Sequence, residues 1–308
     1  MSGYKKITRA GVALILVGAL LFAFGLVLRR TIPDTYIGAQ RAYLTELERQ
    51  LAEFDTIASG RRIALIGSSP VILGLSAKQI ESATGIPTRN LAMNASRGVF
   101  KEYAAMVFEH LRPGDIAVIV NPNVTRLPLL EMPLSCVWQF GLKCIRDQGG
   151  RRPRFIEDAM VLFTDRAFGY ETSPRSSRGD FIFPEDSPLQ SIPRAFTGPF
   201  PKNTASDLAE LAEVARRDGL CPIIALTPLL PQPEEHALWQ SEFDELYQEL
   251  GRAGLRDIVV QGAQLWSDPS LFHHHEHPSE RGREIWSQSV IAKLQEGTLP
   301  EGCARAAG

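Results

Sequence analysis

The chain has 308 residues, of which 44% are hydrophobic, and its formal net charge is −2. This length allows a membrane anchor with one large domain or two small ones, and the hydrophobic share is enough for a sizeable core. The near balance of 33 basic and 35 acidic residues argues against a nucleic-acid-binding protein, which would carry a strongly basic surface.

The first element in chain order is an uncharged stretch, residues 10–28, with basic residues on both sides. As a helix it would span roughly 28 Å, about the hydrocarbon thickness of a bilayer. It is longer than the apolar part of a signal peptide and ends without a small-residue cleavage site. We therefore expect an uncleaved, single-pass anchor in the inner (cytoplasmic) membrane, preceded by a short tail, residues 1–9.

The orientation of this anchor follows only weakly from the sequence, because the positive charges on its two sides almost balance. We expect the tail in the cytoplasm and the large domain on the extracytoplasmic side. Gly11, Gly18 and Gly25 are seven residues apart and share one helix face. Such a stripe permits close packing against a membrane protein partner, although glycine is also simply tolerated in membrane helices.

Residues 29–58 follow as an amphipathic helical segment, with a helix predicted over residues 36–54 from the spacing of Leu44, Leu47 and Leu51. It is interpreted as a stalk or as a helix that packs on the next domain. A flexible tail, residues 296–308, is predicted at the other end of the chain.

The main domain, residues 59–295, alternates apolar strands with amphipathic helices. This pattern predicts an α/β fold, a three-layer α/β/α arrangement around a parallel sheet of about five strands. The predicted strands are residues 63–66, 89–92, 116–120, 222–226 and 258–260, and the predicted helices are 76–85, 101–111, 204–218, 234–250 and 280–294. Residues 126–203 break the alternation and are interpreted as an insertion over the site.

Four cysteines carry modest information. Cys136 and Cys144 could pair in an oxidising compartment, whereas Cys221 opens an apolar strand and is expected to be a buried small residue. The chain contains no CxxC motif, so a structural zinc site is not expected.

Ser69 is the candidate nucleophile. It follows the first predicted strand within Gly67-Ser68-Ser69, at the carboxyl edge where open α/β sheets build their sites. A serine needs a base and donors for the oxyanion, and the start of a helix offers unpaired N–H groups. A serine at such a turn can equally be a simple cap.

His277 is the candidate base, because it alone of the neighbouring histidines directly precedes the last predicted helix. The run His273-His274-His275-Glu276-His277 also suggests a metal site. Contiguous residues cannot easily present three tetrahedral ligands, so we expect no metal and no other cofactor.

These motifs, in this order, resemble those of the SGNH (GDSL-like) hydrolase superfamily, in particular the membrane-anchored branch found beside cell-envelope O-acyltransferases. The resemblance places Ser69 in the Gly-Asp-Ser block and aligns residues 90–95 with the second block. Ala95 then stands in the place of the oxyanion glycine. It assigns the third-block asparagine to Asn123, with Asn121 as the runner-up, and the last block to His277 and Gly282.

The last block departs from the family at the acidic position. Where the family pattern has an aspartate three residues before the histidine, this chain has His274. That carboxylate orients the histidine and stabilises its protonated form. Asp268 could fold back to replace it; alternatively the site is a Ser–His dyad, or it is inactive.

Two hypotheses follow from the resemblance. One is an extracytoplasmic serine esterase or O-acyltransferase that acts on acyl, probably acetyl, esters of an envelope carbohydrate. The other is a catalytically degenerate subunit that serves as a binding or scaffold partner in a membrane complex. The first predicts an intact Ser69–His277 pair, and the second is favoured by the missing aspartate and the glycine stripe.

Overall fold

The structure, a computed structural model, describes residues 17–20, 22–23, 36–58, 60–93, 100–121, 175–183, 199–200, 203–260, 265–274 and 277–296. No helix within these residues is long and apolar enough to span a membrane. Most of the predicted anchor, including Gly11 and Gly25, lies outside them, and so do residues 1–9 and 297–308 of the predicted tails. The anchor therefore stays a prediction.

Four parallel strands form the central sheet, in the spatial order β2-β1-β3-β4. They are β1 (Ile63–Ile66), β2 (Thr88–Asn90), β3 (Ile116–Asn121) and β4 (Cys221–Leu226). Every residue of β1 and β4 is buried, as expected for continuous apolar runs in a sheet that is covered on both faces. The parallel α/β fold predicted from the alternation is confirmed.

The prediction of a fifth strand at residues 258–260 is wrong. Arg256–Ile258 forms a 3-10 helix, and only Val259 then makes a parallel bridge, to Ile224 of β4. Ile258, the first of the three apolar residues, belongs to this 3-10 helix. Only Val259 and Val260 then remain, which are too few for a regular run of strand pairing with β4. Among the described residues, the sheet has four strands and two isolated parallel bridges: Ile224 with Val259 beside β4, and Leu229 with Leu265 just after β4.

Seven α-helices are described. They are α1 (Tyr36–Asp55), α2 (Ser69–Gly74), α3 (Ala77–Thr84), α4 (Phe100–Phe108), α5 (Thr204–Arg217), α6 (His236–Arg252) and α7 (Glu280–Gln295). The sequence predicts that a capping box of Ser76 and Gln79 opens α3 and that Gly85 ends it. Ser76 Oγ does accept a hydrogen bond from Gln79 N, and Gly85 ends the helix in the left-handed conformation. The other half of the box is not formed, because Ser76 N donates to Ser287 Oγ.

The helices cover both faces of the sheet, and alternate residues of each strand point to opposite cores. Ala64 and Ile66 of β1 pack with α1, α4, α5 and α6, whereas Ile63 and Leu65 pack with α2, α3 and α7. The second half of α1 enters the first core through Leu47, Leu51 and Phe54. This half of α1 is thus a packing helix of the domain.

Cys221 differs from the expectation of a free buried residue. It is 1% exposed, as predicted, but it is also disulfide-bonded. The structure describes no other cysteine, so the predicted pairing of Cys136 with Cys144 lies outside the described residues.

A buried ion pair lies at the amino edge of the sheet, opposite to the edge that carries Ser69. The Arg62 guanidinium donates to Asp115 Oδ2 at 2.6 and 3.0 Å, and their side chains are 0% and 2% exposed. Arg62 also donates to the carbonyls of Phe54 and His110. The pair therefore joins α1, β1 and the segment before β3.

We expect Asp115→Asn to lower the free energy of unfolding by about 3 kcal/mol or more, because it leaves a buried guanidinium without its counter-ion. Urea denaturation would measure this change. The control is Arg217→Gln, which breaks a 3.6 Å ion pair to Asp218 whose arginine side chain is 71% exposed. That change should stay within about 0.5 kcal/mol, and equal effects of the two variants would contradict the prediction.

Candidate active site

The strand order places the candidate site at a topological switch point. From β1 the chain moves to β2 on one side, and it then returns to β3 on the other side of β1. At such a point the connections leave the sheet on opposite faces and open a crevice at the carboxyl ends of the strands. Ser69 follows β1 directly and lies at this edge.

Ser69 is the first residue of α2, and Ser68 is its N-cap. Pro70 in the first turn suits a helix start because its missing N–H would have had no acceptor within the helix. The Ser69 N–H is likewise beyond the reach of intrahelical acceptors. Ser69 is partly exposed, whereas Ser68 is 1% exposed.

His277 reaches this serine from the far end of the chain. Phe272–His274 (β5) and His277–Pro278 (β6) form a two-stranded antiparallel hairpin directly before α7. His277 Nε2 lies 3.0 Å from Ser69 Oγ, across a sequence separation of 208 residues. This is the distance of a hydrogen bond between a nucleophile and its general base.

The start of α7 holds the histidine in place. Ser279 caps the helix, with its Oγ accepting from Gly282 N at 3.3 Å and donating to Ser270 O at 2.8 Å. A Cβ on Gly282 would stand 2.1 Å from Leu271 O, so only glycine permits this approach. The structure thus supplies a physical reason for a glycine at residue 282.

The helix that carries Ser69 packs against α7 equally closely. A Cβ on Gly74 would stand 2.7 Å from both Pro278 and Trp286, and Arg283 Nε donates to Leu73 O at 2.6 Å. Burial lowers the pKa of the Arg283 guanidinium. These contacts hold the helix of Ser69 and the segment of His277 against each other.

Tyr103 of α4 supports the turn before Ser69, and sequence analysis did not single it out. Its hydroxyl donates to Leu91 O at 2.6 Å and accepts from Gly67 N at 3.3 Å. The side chain is fully buried, and burial raises the pKa of its phenol. In the sequence Tyr103 is one aromatic residue of an amphipathic helix, and that pattern contains no sign of its hydroxyl's partners.

Four further residues were predicted for the site, and the structure describes two of them, His274 and Asp268. Ala95 and Asn123 lie outside the described residues, so their oxyanion role stays a prediction. His274 pairs with His277 through the backbone of the hairpin. Asp268 accepts from Ser270 N at 2.9 Å and lies 3.9 Å from Arg281. Hydrogen bonds from Ser270 lower its pKa, and its carboxylate caps a 3-10 helix.

No group of three or more metal-ligating side chains occurs among the described residues, and His275 and Glu276 lie outside them. Comparison with known proteins does not assign the chain to a family: no protein-family model, no curated protein and no solved structure matches it. The interpretation of the site therefore rests on its own geometry.

We expect Gly282→Ala to destabilise the protein by about 1–3 kcal/mol, because its Cβ would collide with a backbone oxygen that cannot move alone. Thermal denaturation would measure the change. Gly251→Ala is the matched control, since it adds the same methyl group to α6 where no atom lies within 4 Å. That variant should be neutral or stabilised by up to about 1 kcal/mol. A Gly282 variant as stable as the wild type would contradict the proposed close packing.

Proposed function

We propose that the protein is a membrane-anchored, extracytoplasmic serine esterase or O-acyltransferase of the SGNH-like type, which acts on acetyl or related acyl esters of an envelope carbohydrate. The observation that carries this proposal is the 3.0 Å contact of Ser69 Oγ with His277 Nε2. Two residues so far apart in the chain meet at the edge where the fold places ligands.

The pair can perform acyl transfer in two steps. Ser69 Oγ attacks the ester carbonyl carbon while His277 Nε2 takes the hydroxyl proton. The tetrahedral intermediate then collapses, and His277 returns this proton to the leaving alcohol, which leaves the acyl group on Ser69. Water or a sugar hydroxyl next loses its proton to His277 and attacks the acyl-serine. The new ester or free acid is released, and Ser69 recovers its proton.

The developing oxyanion needs donors at the same edge. The Ser69 N–H, at the first position of α2, is one candidate donor. The resemblance to SGNH hydrolases implies two more donors, the Ala95 N–H and the Asn123 side chain. Hydrolysis and transfer differ only in the acceptor of the acyl group, so this part of the mechanism is common to both.

The second candidate function is a catalytically degenerate subunit that serves as a scaffold in a membrane complex. The observation in its favour is the placement of Asp268, whose carboxylate caps a 3-10 helix next to Arg281. The missing aspartate at residue 274 is thus not replaced by Asp268 in this conformation. Activity measurements separate the two functions.

The disulfide at Cys221 supports the extracytoplasmic location. Structural disulfides persist in oxidising compartments such as the periplasm and are rare in the reducing cytosol. The apolar segment at residues 10–28 is long enough to hold the domain at a membrane.

We expect the full chain, in detergent, to hydrolyse a chromogenic acetyl ester, and Ser69→Ala to lower kcat by at least about 10³-fold. His277→Gln should have a similar effect, since it removes the base. The matched control is Ser68→Ala, which deletes the neighbouring hydroxyl. Ser68 Oγ is buried without a hydrogen-bond partner among the described residues, so that variant should keep its activity.

Equal rates for the wild type and Ser69→Ala would overturn the enzymatic function. If neither protein hydrolyses the ester and neither is labelled by a fluorophosphonate, the scaffold function is favoured. Labelling of the wild type but not of Ser69→Ala would support a reactive serine even where the ester is a poor substrate.

We expect Cys221 in the protein isolated from its native membrane to resist alkylation until a reductant is added. Mass spectrometry of the peptide that contains Cys221, alkylated under denaturing conditions with and without reductant, would measure this. The Cys221→Ser variant is the control, because the mass shift of the alkylated Cys221 peptide should be absent from it. Complete alkylation without reductant would contradict the extracytoplasmic location and leave the site geometry untouched.

A further inference from the structure

One described part of the predicted insertion, residues 175–183, lies against the helix that carries Ser69. Phe181 N donates to Ile72 O of α2 at 3.2 Å, and Asn90 N donates to Arg178 O at 2.7 Å. Arg175 donates to Ala92 O at 2.9 Å. This segment thus touches both α2 and the end of β2, at the carboxyl edge of the sheet.

Asp180 is the buried centre of the 175–183 segment, with 5% of the residue exposed. Its Oδ1 accepts from Ala77 N at 2.8 Å, and its Oδ2 accepts from Lys78 N at 3.1 Å and from Ser76 Oγ at 3.4 Å. Ala77 and Lys78 carry the first N–H groups of α3, where a carboxylate is favoured by the helix dipole.

Asn90, at the end of β2, connects this carboxylate to the helix of Ser69. Its side-chain amide donates to Val71 O at 3.0 Å, to Leu75 O at 3.2 Å and to Asp180 Oδ1 at 3.4 Å. Its Oδ1 accepts from Ala92 N at 3.3 Å. Asn90 is fully buried, so it holds the turns around it and does not contact a substrate.

The helix α2 needs such support because it has only six residues. Helices of this length are not stable by themselves in water. The last carbonyls of α2 also need donors from elsewhere. Ile72 O receives its donor from Phe181 of the 175–183 segment, and Leu73 O receives one from Arg283. Asn90 adds a second donor to Val71 O, which also accepts from Leu75 N, and it donates to Leu75 O directly after the helix.

The cost of burying Asp180 indicates that the arrangement is specific. Burial raises the pKa of its carboxyl, while the N–H groups of Ala77 and Lys78 act in the opposite direction. Gly179 is equally constrained: its φ is +84°, and a Cβ there would stand 2.1 Å from Asn90 O. A buried acid beside an obligatory glycine is unusual in a surface loop.

We propose that Asp180 is a positioning residue of the active site, which acts through Asn90 to hold α2 so that Ser69 stays within hydrogen-bond reach of His277. This inference rests on the proposed function for its kinetic consequence. Its structural part, the coupling of the 175–183 segment to α2, can be tested without activity.

The structural test is native-state hydrogen exchange on the full wild-type chain in detergent. We expect the amides of residues 71–75 and those of residues 178–181 to open together, with exchange rates that converge as urea is added. Exchange of the 175–183 segment at least about 100-fold faster than that of α2 under all conditions would overturn the coupling. No variant is needed for this measurement.

The kinetic test compares Asp180→Asn with Asp115→Asn at a temperature at which both are folded. An asparagine offers one acceptor oxygen where the carboxylate offers two. The N–H groups of Ala77 and Lys78 and the amide of Asn90 therefore lose part of the hydrogen bonding that Asp180 gives them. We expect Asp180→Asn to lower kcat about tenfold or more with KM changed less than twofold, and to speed exchange at residues 71–75. Asp115→Asn weakens the opposite edge of the sheet and should leave kcat unchanged.

Equal kcat values for Asp180→Asn and the wild type, or an equal loss in both variants, would overturn the positioning role. If Asp180→Asn does not fold, Asn90→Ala takes its place, since it removes the donor to Val71 O and Leu75 O but leaves Asp180. An inactive wild type with coupled exchange would overturn the proposed function alone, whereas an active wild type with uncoupled exchange would overturn the positioning role alone.

Discussion

The short helix α2 is the constraint on which the candidate site depends. Six residues cannot hold a helix by their own hydrogen bonds, yet Ser69 at its start must stay 3.0 Å from His277. Its position is therefore set by three segments that are distant in sequence. Arg283 of α7 donates to Leu73 O, Asn90 donates to Val71 O and to Leu75 O, and Phe181 of the 175–183 segment donates to Ile72 O.

The buried ion pair and the candidate site lie at opposite edges of the sheet. At the amino edge, the buried pair of Arg62 and Asp115 joins α1 to the strands through hydrogen bonds that also satisfy backbone carbonyls. At the carboxyl edge, Ser69 remains partly exposed. A substitution at one edge can thus change the free energy of unfolding without moving Ser69 and His277 at the other, and this separation makes matched controls possible.

Prediction from the sequence succeeded where hydrophobic pattern and local capping decide the structure. The apolar runs of β1, β3 and β4 and the caps of α3 follow from their own residues. The prediction of a strand failed at residues 258–260, where a 3-10 helix includes the first residue of a short apolar run. Prediction from the sequence also gave no role to Arg178-Gly179-Asp180 within the predicted insertion, because nothing local shows that Asp180 binds the start of a helix about a hundred residues earlier.

By itself, the sequence determined the alternation of strands and helices, and it named Ser69 and His277 through their places beside β1 and α7. Those features depend on hydrophobic period and on turns of a few residues, which are local properties. Only the tertiary structure decided that Ser69 and His277 meet, and that Asp180 and Asn90 support α2. Each of these is a contact between distant segments, which only the packing of the whole sheet and its helices can establish.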